Sequence, residues 1–191
     1  MKIAVLAWGS SVWDPRELQT AAKFAPDGPL APIEFCRVSA DGRLTLAIDE
    51  DFGALSKTYS APSALETLDA AIENLQLREG TSTTRAIGFV EPASGRQSDL
   101  AMQSHPQVVA TIGAWAESVG YDAAIWTALA SNFHEWAKGG ELFSVSAALR
   151  YLELLEKEDP AKFGRALDYM RKAPPEVETP VREEVAKRWP V

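Results

Sequence analysis

Apolar positions alternate with turn residues through the first half of the chain and recur at helical spacing through the second, which predicts strands first and helices afterwards. The run Ile3, Val5, Leu6, ending at Trp8, reads as a strand. It leads into Gly9-Ser10-Ser11-Val12-Trp13-Asp14-Pro15, where Asp14 as N-cap, Pro15 at the first helical position and Glu17 in the capping-box place predict a short helix. Pro26, Gly28, Pro29 and Pro32 then mark a loop. Ile33 to Val38 and Leu44 to Ile48 predict a hairpin around Asp41-Gly42, with further short strands at Leu55 to Tyr59 and Ala86 to Val90. Between those two, Ser63 and Glu66 form a capping box, and Leu65, Leu68, Ile72 and Leu75 keep the spacing of a helix that ends at Gly80.

Downstream, Pro106 to Val119 reads as a helix closed by Gly120, and Asp122 to Leu129 as a strand containing Trp126. Ser144 to Lys157 has an apolar stripe of Val145, Leu149, Leu152 and Leu155, and Asp159-Pro160 and Thr179-Pro180 open two more helices. Strands early and helices late predict an α+β fold. No repeat or linker divides the chain, so one domain over residues 1–191 is expected, with 140–191 as a C-terminal helical extension available for homo-oligomer contacts.

Composition narrows the function. Hydrophobic residues make up 46% and charged residues 24%, the proportions of an ordinary globular protein. A net charge of −8 argues against nucleic acid, which needs clustered Lys and Arg. No apolar run reaches the length of a membrane span, and the one before Gly9 is too short for a signal peptide, so a cytoplasmic setting without membrane contact is expected. Cys36 is the only cysteine, and His105 and His134 lack ligand spacing, so neither a disulfide nor a metal or other cofactor is expected.

Chemistry concentrates in two places. A strand feeding a Gly-Ser turn exposes backbone N–H groups that can hold a carboxylate or phosphate, which makes Trp8, Gly9, Ser10, Ser11 and Val12 candidate binding residues. Glu79 sits in the last turn of its helix, at the negative end of the dipole, a position that local preference disfavours. The turn lacks the Lys of a P-loop, the third glycine of a dinucleotide fingerprint and a Gly-x-Ser-x-Gly elbow. Trp13, Arg37 and Asn132 are candidates for completing a pocket, each with an ordinary structural role as its alternative.

Together the Gly9-Ser10-Ser11 turn, Val12-Trp13 after it and Leu77-Arg78-Glu79-Gly80 resemble the γ-glutamyl cyclotransferase-like superfamily. That family carries a Tyr-Gly-Ser-Asn or Tyr-Gly-Ser-Leu turn after its first strand and a catalytic glutamate before a glycine. The resemblance covers Ile3 to Val90, and Trp8 and Ser11 depart from the family pattern. It implies a small mixed sheet or barrel flanked by helices, with intramolecular aminolysis of a γ-glutamyl amine or peptide that releases 5-oxoproline. The substrate would carry a free α-amino acid end, Glu79 would serve as general acid and base, and the turn would hold the α-carboxylate. The other reading is a non-catalytic module on the same scaffold that binds a small carboxylate or a protein partner.

Overall fold

A computed structural model describes residues 1–190. In chain order its strands and helices are β1 (Ile3–Ala7), β2 (Leu30–Val38), β3 (Leu44–Ile48), β4 (Ala54–Lys57), β5 (Tyr59–Pro62), α1 (Leu68–Glu79), β6 (Ile87–Glu91), β7 (Arg96–Gln97), α2 (Asp99–Ser104), α3 (Pro106–Ser118), β8 (Ala123–Thr127), α4 (Phe133–Trp136), α5 (Val145–Glu158), α6 (Pro160–Lys172) and α7 (Pro180–Arg188). The fold is α+β. Its contacts divide into two compact units, each assembled from two stretches of chain: residues 1–31 with 57–129, and residues 32–56 with 130–191.

The first unit is built on an open mixed sheet in the order β5-β1-β8-β6-β7. Strand β1 runs antiparallel to β5 and parallel to β8, and every one of its five residues is buried, as a strand paired on both edges and covered on both faces must be. Ile3, Val5, Ile87 and Ile125 meet the inner face of α1, Leu68, Ala71, Ile72 and Leu75, in one core. Helix α3 also packs on β6 and β8, burying Val108, Val109, Ile112 and Ala116. Helix α1 ends where expected. Gly80 takes the left-handed conformation at φ 66°, and its N–H bonds to the carbonyls of Gln76 and Leu77.

The second unit contains the expected hairpin. Strands β2 and β3 pair with Ile33 opposite Ile48, the turn residue Gly42 has φ 79°, and β4 completes a three-stranded sheet in the order β3-β2-β4. The C-terminal helices belong to this sheet: α6 packs on β3, the Tyr151 hydroxyl donates to the Gly42 carbonyl, and Phe35 meets Tyr169 edge to face. Glu34, fully buried on β2, accepts from the backbone N–H groups of Phe35 and Val181 and so caps the start of α7 from outside the helix.

Three local expectations change. No helix starts at Asp14-Pro15. The chain makes a single 3-10 turn at Ser10–Val12 and then leaves helical geometry at Arg16, whose φ is 52°. The backbone groups that would have built the helix have tertiary partners instead: Arg78 donates to the Asp14 carbonyl, and Asn74 donates to the Glu17 carbonyl and accepts from the Gln19 N–H, while the Asp14 side chain pairs locally with Arg16. Helix α1 starts four residues late, capped by the Thr67 hydroxyl, because the Ser63 N–H is held by the Ile3 carbonyl and the Ser63 hydroxyl accepts from Leu65. The segment Leu55 to Tyr59 splits into the ends of β4 and β5. Helix α2, capped by Ser98, was not anticipated.

Candidate functional site

The turn after β1 and the end of α1 meet inside the first unit. Trp8 is buried at the end of the strand, and the turn closes through Val12 N–H to Gly9 carbonyl at 3.0 Å and Asp14 N–H to Ser10 carbonyl at 2.7 Å. The N–H groups of Ser10 and Ser11 stand at the open start of this turn, where no preceding carbonyl of the turn reaches them. Half-buried Trp13 follows directly.

Glu79 faces that turn. The Ser11 hydroxyl donates to Glu79 Oε1 at 3.3 Å, joining residues 68 apart in sequence. The buried Arg78 guanidinium pairs with the same oxygen at 2.9 Å through Nη1, and through Nη2 reaches the Ser10 hydroxyl at 3.1 Å and the Asp14 carbonyl at 2.8 Å. Oε2 has no donor among the described residues, and the Glu79 side chain keeps 18% of its exposure, enough for a small molecule to touch it. A single carboxylate thus stands beside the Ser11 hydroxyl and the Arg78 guanidinium, at a turn whose first N–H groups have no carbonyl partner within the turn. Such a set can bind an anionic end of a ligand and exchange a proton with a neighbouring amine.

Comparison with protein-family models, with curated proteins and with solved structures finds no match.

The remaining candidates lie in the second unit. The Arg37 guanidinium donates to the Ala130 carbonyl at 2.5 Å, and burial depresses its pKa. Asn132 accepts from the Val38 N–H at 2.8 Å and donates to the Val38 carbonyl at 3.0 Å, pairing with the strand as a neighbouring backbone would. Ser131 donates to the Cys36 carbonyl, so this loop is stitched to β2 by three side chains. Cys36 is fully buried, and burial pushes its thiol far above the ordinary range, which leaves it inert as a nucleophile. Among the described residues no cluster of His, Cys, Asp and Glu could hold a metal ion, and no helix is long and apolar enough to cross a membrane.

Arg78 is the residue that reading the sequence missed. Its signal was positional: residues 68, 71, 75 and 78 share one helical face, so the buried stripe of α1 runs directly into Arg78.

Proposed function

We propose that this chain is a γ-glutamyl cyclotransferase-like enzyme that releases 5-oxoproline from a γ-glutamyl amine or peptide. The observation that carries the reading is the approach of Glu79 Oε1 to the Ser11 hydroxyl at 3.3 Å, because it puts the one candidate proton carrier beside the one candidate carboxylate cradle. In this reading the Ser10 and Ser11 N–H groups hold the α-carboxylate of the γ-glutamyl group. Its α-ammonium then lies against Glu79, which takes a proton and frees the nitrogen lone pair. The amine attacks the γ-carbonyl of the same molecule and a C–N bond forms; the attacking nitrogen then gives up a second proton, and the C–N bond to the leaving amine breaks as that amine receives both protons by way of Glu79 and departs as an ammonium. Water is neither consumed nor released. Attack within one molecule has already met the entropy of bringing the reactants together, so one well-placed carboxylate supplies much of what remains.

Glu79→Gln tests this directly. Glutamine keeps an oxygen to accept from Ser11 and Arg78, so the fold is retained while proton transfer is lost. The expected result is a fall in kcat of about 100-fold or more in a protein that still unfolds cooperatively, at a lower thermal midpoint because the buried Arg78 charge loses its counter-ion. Absence of 5-oxoproline from the wild-type protein across a panel of γ-glutamyl amines and peptides would overturn the enzyme reading. Retained binding of the same panel would then favour the carboxylate-binding module.

A further inference from the structure

Arg78 is 5% exposed on its side chain, on a helix whose other buried residues are Leu68, Ala71, Ile72, Asn74 and Leu75. Burying a guanidinium is expensive, and a buried ion pair is weak evidence for stability, since apolar residues of similar volume often serve as well. This one is also incompletely satisfied: Nε is buried with no acceptor among the described residues. Its remaining bonds all go to the two halves of the site. One nitrogen takes Glu79 Oε1, and the other takes the Ser10 hydroxyl and the Asp14 carbonyl.

A guanidinium is a rigid planar fork, so partners on its two terminal nitrogens are held at a fixed separation. The direct Ser11 to Glu79 contact, at 3.3 Å, is at the long end for a hydroxyl donor and cannot fix the carboxylate alone. We propose that Arg78 is a positioning residue, whose guanidinium sets the distance and orientation of the Glu79 carboxylate relative to the Gly9-Ser10-Ser11 turn. The assignment rests on the cyclotransferase reading for its catalytic consequence and on the hydrogen-bond geometry alone for its structural one. Occupying Oε1 with Arg78 leaves Oε2 as the oxygen that meets substrate.

Two readouts separate those parts. Crystal structures of Arg78→Ala and Arg78→Lys report the position of Glu79 without any turnover. In Arg78→Ala the carboxylate is expected to leave Ser11 by more than about 4 Å, beyond hydrogen-bond reach. In kinetics, Arg78→Ala is expected to lose about 100-fold or more in kcat with KM within roughly threefold, and added methylguanidinium to restore about tenfold or more of it. Arg78→Lys, one compact ammonium in place of the fork, is expected to fall between. Glu79 unmoved in Arg78→Ala, or kcat at the wild-type level in Arg78→Lys, would overturn the assignment; the lysine variant decides it if the alanine variant fails to fold. If the wild-type protein forms no 5-oxoproline, the cyclotransferase reading falls and the crystal structures alone judge Arg78.

Discussion

Gly88 on β6 lies directly opposite Trp126 on β8, and the indole occupies the space where a side chain at residue 88 would stand. A methyl added there would meet Trp126 Cε2 at 2.4 Å, Nε1 at 2.6 Å and Cζ2 at 2.8 Å, against an ordinary carbon contact of about 3.5–4.0 Å. Relief needs a shift of about 1 Å, and neither side can give: Trp126 is fully buried, and both strands are paired on both edges. Overpacking costs about 1–3 kcal/mol in general, and Gly88→Ala is expected at the top of that range. Trp126→Phe withdraws the atoms that clash and also removes Nε1, a buried donor with no acceptor among the described residues. Shedding that donor offsets part of the lost packing, so the single change is expected to cost only about 1 kcal/mol. In the double variant the smaller ring makes room for the methyl, and the two costs should fall short of their sum by about 1.5 kcal/mol or more. Native-state hydrogen exchange at the Ile125 amide gives the free energy for the unit that contains both strands. Additivity within about 0.5 kcal/mol would refute the steric account of this pair.

Glu34→Ala strips the acceptor from two buried N–H groups, those of Phe35 and Val181, and is expected to cost about 2–6 kcal/mol by urea denaturation, at about 1–3 for each orphaned donor. Burial, chiefly, pushes the Glu34 carboxyl above its ordinary value, with Asp49 adding to the rise and bonds from Thr179, Phe35 and Val181 opposing it. The folded state therefore holds this proton to higher pH than the unfolded state. The resulting stability is complete below the ordinary glutamate value and drains away as pH rises through the raised one, so wild type should lose stability relative to Glu34→Gln across that window; a rising difference would contradict this. Gly80→Ala meets no atom within 4 Å, so its only penalty is the left-handed backbone, about 1 kcal/mol, with Gly80→Asn costing less; equal thermal midpoints for glycine and alanine would show that no such strain exists.

Local chemistry explains what could be read in advance. Ser144, Asp159 and Thr179 each cap the helix expected of them, because a hydroxyl or carboxylate bonding to an N–H three residues on needs no distant partner. Asp14 offers the same signal and starts no helix, since the carbonyls and N–H groups around it are claimed by Asn74 and Arg78 from α1. The parallel pairing of Ile3 with Ala123 leaves no trace in either segment's own pattern. For the site, the Gly-Ser turn and the glutamate before a helix-ending glycine were legible as motifs. The burial of Arg78 was not, because a cation in the last turn of a helix is so ordinarily a solvated one. Arg37 and Asn132 looked like pocket residues for want of any way to see that Ala130 and Val38 would engage them.

The stretch between Pro29 and Thr58 leaves and rejoins the first unit at a single point. The Thr58 N–H and hydroxyl both donate to the Pro29 carbonyl, and the Gly28 N–H donates back to the Thr58 carbonyl. Chain ends held side by side are the geometry of an insertion that costs its host little loop entropy. During synthesis the two parts therefore mature in a nested order. Everything the first unit requires has been made by residue 129, whereas the hairpin already emerged by residue 56 must wait for α5, α6 and α7, and Glu34 gains its second backbone donor only 147 residues later. The earliest half of the second unit is thus the last part of the chain to find its partners, a long exposure for a β-rich segment, and a ribosome-bound chain is where that delay would be felt.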